Sequence, residues 1–239
     1  MKALRYASLC VLALTGCTVE ETQQLPDENA PAFDEGQGQE PAPEPTDTIS
    51  YPGPQGYTVG SIIKNFALYG FANHGATPAP TEVQLSHFYN PTGSDVFPPG
   101  SKYGEGTPKP KAIVLMMSAV WCGPCNDEAN LFLPVVVPQY APEAVFVATL
   151  IDGPQGGVAA TLLDVENWAV KYQDAKDVFY PLVNDPKSQI MQVFEPAFPG
   201  NMIIRTSDMR IIERVAGSQP ASSPFWTTLQ QVIDGTYVE

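Results

Sequence analysis

The sequence predicts an α/β fold, a central mixed β-sheet flanked by helices in a single domain, and three observations lead there. Two continuous apolar runs, Ala112–Met117 and Ala144–Ile151, lack polar alternation, as strands buried on both faces of a sheet require. A glycine-free stretch of helix formers follows the first run, and apolar residues at helical spacing follow the second. Nearer the C-terminus, two short β-branched runs bracket a four-residue turn, and a helix marked at both ends closes the chain.

Taken in order, residues 59–68 mix Val, Ile and Phe with turn formers and read as an entry strand with its lead-in loop. From Asn73 to Lys111, Pro, Gly and polar residues dominate, interrupted by Val83–Tyr89. That stretch reads as irregular, either a surface loop or a flap beside the active site. After Ala112–Met117, residues 126–133 contain helix formers and no glycine. Pro134 must bend or break this helix and Pro138 stop it, because proline brings no N–H to the ladder. The run Ala144–Ile151 is then turned by Asp152-Gly153-Pro154.

Leu162, Leu163, Val165, Trp168, Ala169 and Tyr172 have helical spacing and predict the next helix, with Trp168 as a core anchor. Residues 181–186 read as a short strand and turn, and residues 187–194 as a short helix. Met202–Ile204 and Ile211–Val215 form a hairpin around Ser207–Arg210. Ser223 caps the last helix, Pro224 takes its first position, and Gly235 stands just past its end.

The N-terminus belongs to a different regime. Lys2 and Arg5 precede an apolar stretch, Ala7–Leu14, that is too short to span a bilayer and reads as an export signal over residues 1–16. Leu14-Thr15-Gly16-Cys17 resembles the lipobox of bacterial lipoproteins, which implies cleavage before Cys17 and a lipid on that cysteine. Cys10 falls within the discarded peptide. Residues 17–50 then comprise the lipid anchor and a linker rich in Pro, Asp and Glu with no Lys or Arg. Such a segment cannot bury a core and reads as a disordered, self-repelling tether. Residues 51–239 remain for the folded domain.

The expected location is therefore the bacterial cell envelope, with the membrane reached through lipidated Cys17. Where the source has two membranes, Thr18 rather than Asp after that cysteine points to the outer one, on its periplasmic or surface face. A formal net charge of −14 argues against nucleic acid as a partner.

The chemistry gathers at Trp121-Cys122-Gly123-Pro124-Cys125, placed between a strand and a helix. A thiolate, not a thiol, attacks a disulfide. Cys122, at the N-terminus of the helix, has unpaired backbone N–H groups and the helix dipole to stabilise its anion. Cys125, one turn further and more buried, is spaced to resolve a mixed disulfide. Gly123 and Pro124 shape the first turn, and Trp121 offers a flat apolar surface beside the attacking sulfur. Zinc would want four ligands, and the only histidines, His74 and His87, lie in the irregular region. A purely structural disulfide closing so short a loop gains little. A peroxiredoxin would carry Thr or Ser at Ala119 and Pro at Leu115, and this chain has neither.

Three landmarks together resemble the thioredoxin superfamily, and within it the TlpA/ResA-like thiol-disulfide oxidoreductases: the motif with Glu128 after it, Tyr180–Asp185, and Phe198-Pro199 leading into Met202–Asp208. The resemblance implies a thioredoxin-like fold and no bound cofactor or metal. Pro199 would be a cis-proline facing the cysteines, and Phe198 would join Trp121, Gly123 and Pro124 in meeting the substrate. Met116 stands where thioredoxins carry a buried Asp, so Glu128, matching an acidic residue of the TlpA-like proteins, becomes the candidate proton carrier; an exposed helix Glu is the competing reading. Gly200 replaces the usual Thr after the proline.

The expected function is disulfide exchange with exported proteins through Cys122 and Cys125. By resemblance to thioredoxin, Gly-Pro between the cysteines implies a reductant, which would need a membrane electron donor. The alternative is an envelope or surface binding lipoprotein whose thioredoxin-like domain has little redox turnover.

Overall fold

A computed structural model of the chain describes residues 50–238. The expected signal peptide over residues 1–16, Cys17 and nearly all of the expected acidic linker lie outside the described residues. The strands are β1 (Gln55–Gly56), β2 (Ile62–Ile63), β3 (Ala67–Phe71), β4 (Thr81–Gln84), β5 (Ala112–Ala119), β6 (Ala144–Asp152), β7 (Leu182–Asn184), β8 (Gly200–Arg205) and β9 (Arg210–Ala216). They form one mixed sheet in the order β1-β2-β9-β8-β5-β6-β7-β3-β4.

At the centre, β5 pairs in parallel with β6 and antiparallel with β8. β7 continues the parallel set on β6, and β8 turns back into β9 through the expected hairpin. β5 is buried at all eight positions. Its alternate side chains supply two separate cores: Val114 and Met116 on one face, Ile113, Leu115 and Met117 on the other. That double burial is why the run shows no polar alternation.

The first face is covered by helices: α1 (Gly123–Asp127), α2 (Leu133–Tyr140), α3 (Leu162–Tyr172) and α4 (Pro224–Asp234). Trp168 and Val165 of α3 and Phe225 and Leu229 of α4 pack here. Thr161 caps α3 in a reciprocal box with Asp164. Ser223 caps α4, and Gly235 ends it at φ 69°, a left-handed conformation that glycine adopts without a Cβ penalty.

The helix after the motif is interrupted before Pro134, as expected: α1 gives way to a π turn over Glu128–Phe132, in which the N–H of Leu133 reaches the carbonyl of Glu128, and α2 begins with Pro134 in its first turn. The expectation that Pro138 stops it is corrected. Pro138 sits inside α2, which runs on to Tyr140.

The N-terminal half is corrected too. The single entry strand expected over residues 59–68 is two strands at opposite sides of the sheet: β2 beside β9, β3 beside β7. The region from Asn73 to Lys111 is neither a surface loop nor a flap. It supplies β4 and a 3-10 turn, Leu85–Phe88, and drives Leu85, Phe88 and Phe97 into the second face of the sheet. Buried Asn90 stitches it down, its amide donating to the carbonyls of Lys109 and Pro110 at 3.1 and 3.3 Å. Its irregularity follows from covering a sheet with short turns, where hydrophobic periodicity has no length to develop.

A disulfide at a helix start with a buried acid behind it

β5 ends at Ala119, two residues before Trp121. The chain turns sharply there, with the N–H of Cys122 on the carbonyl of Ala119 at 3.1 Å, and enters α1 with Cys122 as its N-cap. Cys122 and Cys125 are joined by a disulfide, Cα to Cα 5.3 Å. The Cys122 sulfur accepts the N–H of Cys125 at 3.2 Å, so a backbone donor already points at the atom that must carry negative charge after reduction. Both cysteines are buried, Cys125 at 1% exposed marginally more so than Cys122 at 2%, in the order expected. Gly123 and Pro124 between them are exposed.

Two aromatic rings pair beside the motif. Trp121 is 48% exposed and stands edge-on to Phe198, centroids 5.8 Å apart. Its indole N–H donates to Asp152 Oδ2 at 3.1 Å, and the same oxygen accepts the N–H of Gly157 at 2.8 Å. Asp152 thus ties the indole to the loop after β6. The Phe198–Pro199 peptide is cis, as the resemblance implied. The pairing of Met117 with Gly200 puts Pro199 one step beyond, at the end of β5 that leads to the motif. Asn126 holds the motif from below, donating to the carbonyls of Val120 and Cys122 at 3.0 and 2.7 Å and accepting from Tyr172.

Gly200 has a local cause. A Cβ there would stand 2.7 Å from Cδ1 of Phe194, a buried ring of the second core. The threonine usual at this position has no room unless Phe194 moves.

Glu128 is not an exposed helix residue. It lies three residues after Cys125, on the same helix face, and is 2% exposed. Oε1 accepts the backbone N–H of Gln219 at 2.8 Å and the amide of Asn201 at 3.0 Å. Burial pushes the carboxyl up to about 7, and these two donors hold it back from rising further. Asn201 is paired with Met116 across β5 and β8, so the strand position that lacks an acid faces the residue that holds one supplied by the helix. The sequence reasoning missed Asn201, Gln219, Asp152 and Asn126; a lone polar residue entering the apolar run Met202–Ile204 was the one visible signal, at Asn201.

His74 pairs with Asp174 at 3.0 Å and His87 lies against Tyr103. Among the described residues no group of three or more His, Cys, Asp or Glu could hold a metal ion, and no helix is long and apolar enough to cross a membrane. A groove of about 710 Å³ opens at the far end of β6, lined by Phe88, Phe97, Phe146 and Tyr180 among others, and no motif residue borders it.

No protein-family model matches the sequence, and no curated protein does. Solved structures do. A hypothetical protein from Sinorhizobium meliloti 1021 is similar at 15% identity over 77% of this chain and 89% of its own, with a TM-score of 0.53. An uncharacterised conserved protein from Geobacillus kaustophilus is similar at 15% identity over 77% and 86%, also with a TM-score of 0.53. A candidate thiol:disulfide interchange protein DsbE from Chlorobium tepidum is 20% identical over 74% and 96%, with a TM-score of 0.49. At these identities the likeness is one of fold. With the cysteine pair at the strand-to-helix turn, Phe198-Pro199 leading into the neighbouring strand and this sheet order, the chain has a thioredoxin-like fold.

Proposed function

We propose that the protein is a membrane-anchored thiol-disulfide oxidoreductase that exchanges disulfides with exported proteins, more as reductant than oxidant. One observation carries the reading: a Cys122–Cys125 disulfide at a helix start with a buried carboxyl one turn behind it whose pKa is about 7. A structural crosslink has no use for an acid that titrates at neutral pH.

In the reducing direction, the Cys122 thiolate attacks one sulfur of a client disulfide. This forms a mixed disulfide and expels the first client thiolate. The Cys125 thiol then gives its proton to the Glu128 carboxylate, and its sulfur attacks Cys122 Sγ. The second client thiolate leaves, the Cys122–Cys125 disulfide re-forms, and two electrons have passed to the client. A membrane dithiol donor must return them. Trp121, Phe198, Gly123 and Pro124 meet the client chain, with Pro199 offering its backbone beside the attacked sulfur.

Cys125→Ser removes the resolving thiol. Expressed in bacterial envelopes, this variant accumulates mixed disulfides through Cys122 in the membrane fraction, and the further change Cys17→Ala moves them to the soluble fraction. Wild-type protein that reduces no insulin, combined with a variant that captures nothing, would leave the binding-lipoprotein reading standing instead.

A further inference from the structure

Among the described residues two donors hold Glu128, and one of them is a side chain with unused capacity. The Asn201 amide nitrogen donates to Glu128 Oε1 at 3.0 Å and to the carbonyl of Gly217 at 3.2 Å. Two acceptors on that nitrogen fix the orientation of the amide, because flipping it would set oxygen against both. Asn201 is fully buried, and its Oδ1 has no hydrogen-bond partner among the described residues. A buried acceptor left without a donor is costly. It is explained if the donor exists in only one protonation state of its neighbour. A carboxylate offers no hydrogen; a carboxylic acid offers one.

We propose that Asn201 is the positioning residue of the buried acid: its amide N–H holds the Glu128 carboxylate, its Oδ1 receives the proton of the Glu128 carboxylic acid, and both protonation states are kept in one place behind Cys125. The inference rests on the exchange reaction above, in which Glu128 takes up the proton of Cys125. An acid that swung away on protonation would have to return before each turnover; a primary amide, donor on one side and acceptor on the other, removes that step. Met116 facing Asn201 is apolar and buried and does not compete for either contact. The titratable groups acting around Glu128 are Cys125 on its own helix, once reduced, and Tyr180 from the segment before β7. Burial and the charge of Glu128 push the Tyr180 phenol up, so it stays neutral throughout the working range.

Of the two contacts, the one to the charged form is the stronger, because hydrogen bonds to ionised groups are roughly twice as strong as neutral ones. Removing Asn201 therefore raises the Glu128 pKa. In Asn201→Leu, and in Asn201→Ala should leucine not fold, the carboxyl C=O infrared band of Glu128, identified by its loss in Glu128→Gln, titrates about one pH unit higher than in wild type. The ionised fraction at pH 7 then falls from about half to about one tenth, so exchange slows about fivefold at pH 7 and recovers by about pH 9. In the Glu128→Gln background the Asn201 change adds no pH-dependent loss. A merely structural Asn201 would lower the melting temperature and leave the infrared midpoint in place, and that result overturns the proposal, as does a midpoint that moves down. The infrared titration is read on the oxidised protein without turnover, so it decides the role of Asn201 even if the wild type proves inactive in exchange.

Discussion

Glu128→Gln separates what the acid costs the fold from what it gives the chemistry. Burial holds the folded carboxyl up at about 7, against 4.5 for an ordinary solvated glutamate. At pH values below the unfolded pKa both states are protonated and the group costs nothing. Between about 4.5 and 7 the unfolded chain ionises first, so stability falls as pH rises, and above the folded value the full penalty is present. With 1.36 kcal/mol per unit, 2.5 units amount to about 3 kcal/mol, an upper figure because unfolded chains are not fully extended. Glutamine keeps an oxygen for Gln219 and Asn201 and turns an N–H towards the unpartnered Asn201 Oδ1. Urea unfolding of the oxidised protein across pH 4–9 should therefore show the variant about 3 kcal/mol more stable than wild type at pH 8, converging below pH 4.5. For a domain of this size that is a rise of roughly 6–12 °C in Tm at pH 8. The same variant loses the neutral-pH limb of exchange. A wild-type curve parallel to that of the variant between pH 4.5 and 7.5 would refute both the assignment of burial as the dominant cause and its magnitude.

Gly200→Thr drives a methyl-bearing carbon into Phe194, so it should lower stability by about 1–3 kcal/mol; adding Phe194→Ala relieves the clash, and a double variant no better than the sum of the singles in thermal melts counts against it. Asp152→Ala releases the Trp121 indole from the loop after β6. Steady-state fluorescence anisotropy of the indole should fall, and exchange with protein clients should slow roughly fivefold, the equivalent of about 1 kcal/mol, while reduction of the disulfide by dithiothreitol is unchanged. Equal slowing with both partners would show that Asp152 acts on the sulfur rather than on the ring.

The central strands, the last helix and the cysteine pair were legible because each depends on residues adjacent in sequence. A buried run, a cap with proline and glycine at either end, and a two-residue spacing are local patterns. What was not legible depends on register. Nothing in Asn201 or Met116 read singly shows that they face each other, and the backbone N–H of Gln219 carries no sequence signature at all. The competing readings of Glu128 differed only in burial, which the fold decides: the π turn that accommodates Pro134 begins at Glu128 itself and brings it against the sheet. The segment from Asn73 to Lys111 was misread because composition describes backbone irregularity and says nothing about which side chains it presses inward.

Pro199, Gly200 and Asn201 are consecutive, and each serves a different compartment: the proposed client face, the Phe194 core and the acid. Strand side chains alternate, so a slip of one residue in the β5–β8 pairing would exchange the faces of Gly200 and Asn201. The register of one antiparallel ladder is thus a gauge that sets redox geometry and proton affinity together. Substitutions anywhere along that ladder, even in residues remote from sulfur, should be read first as changes in calibration.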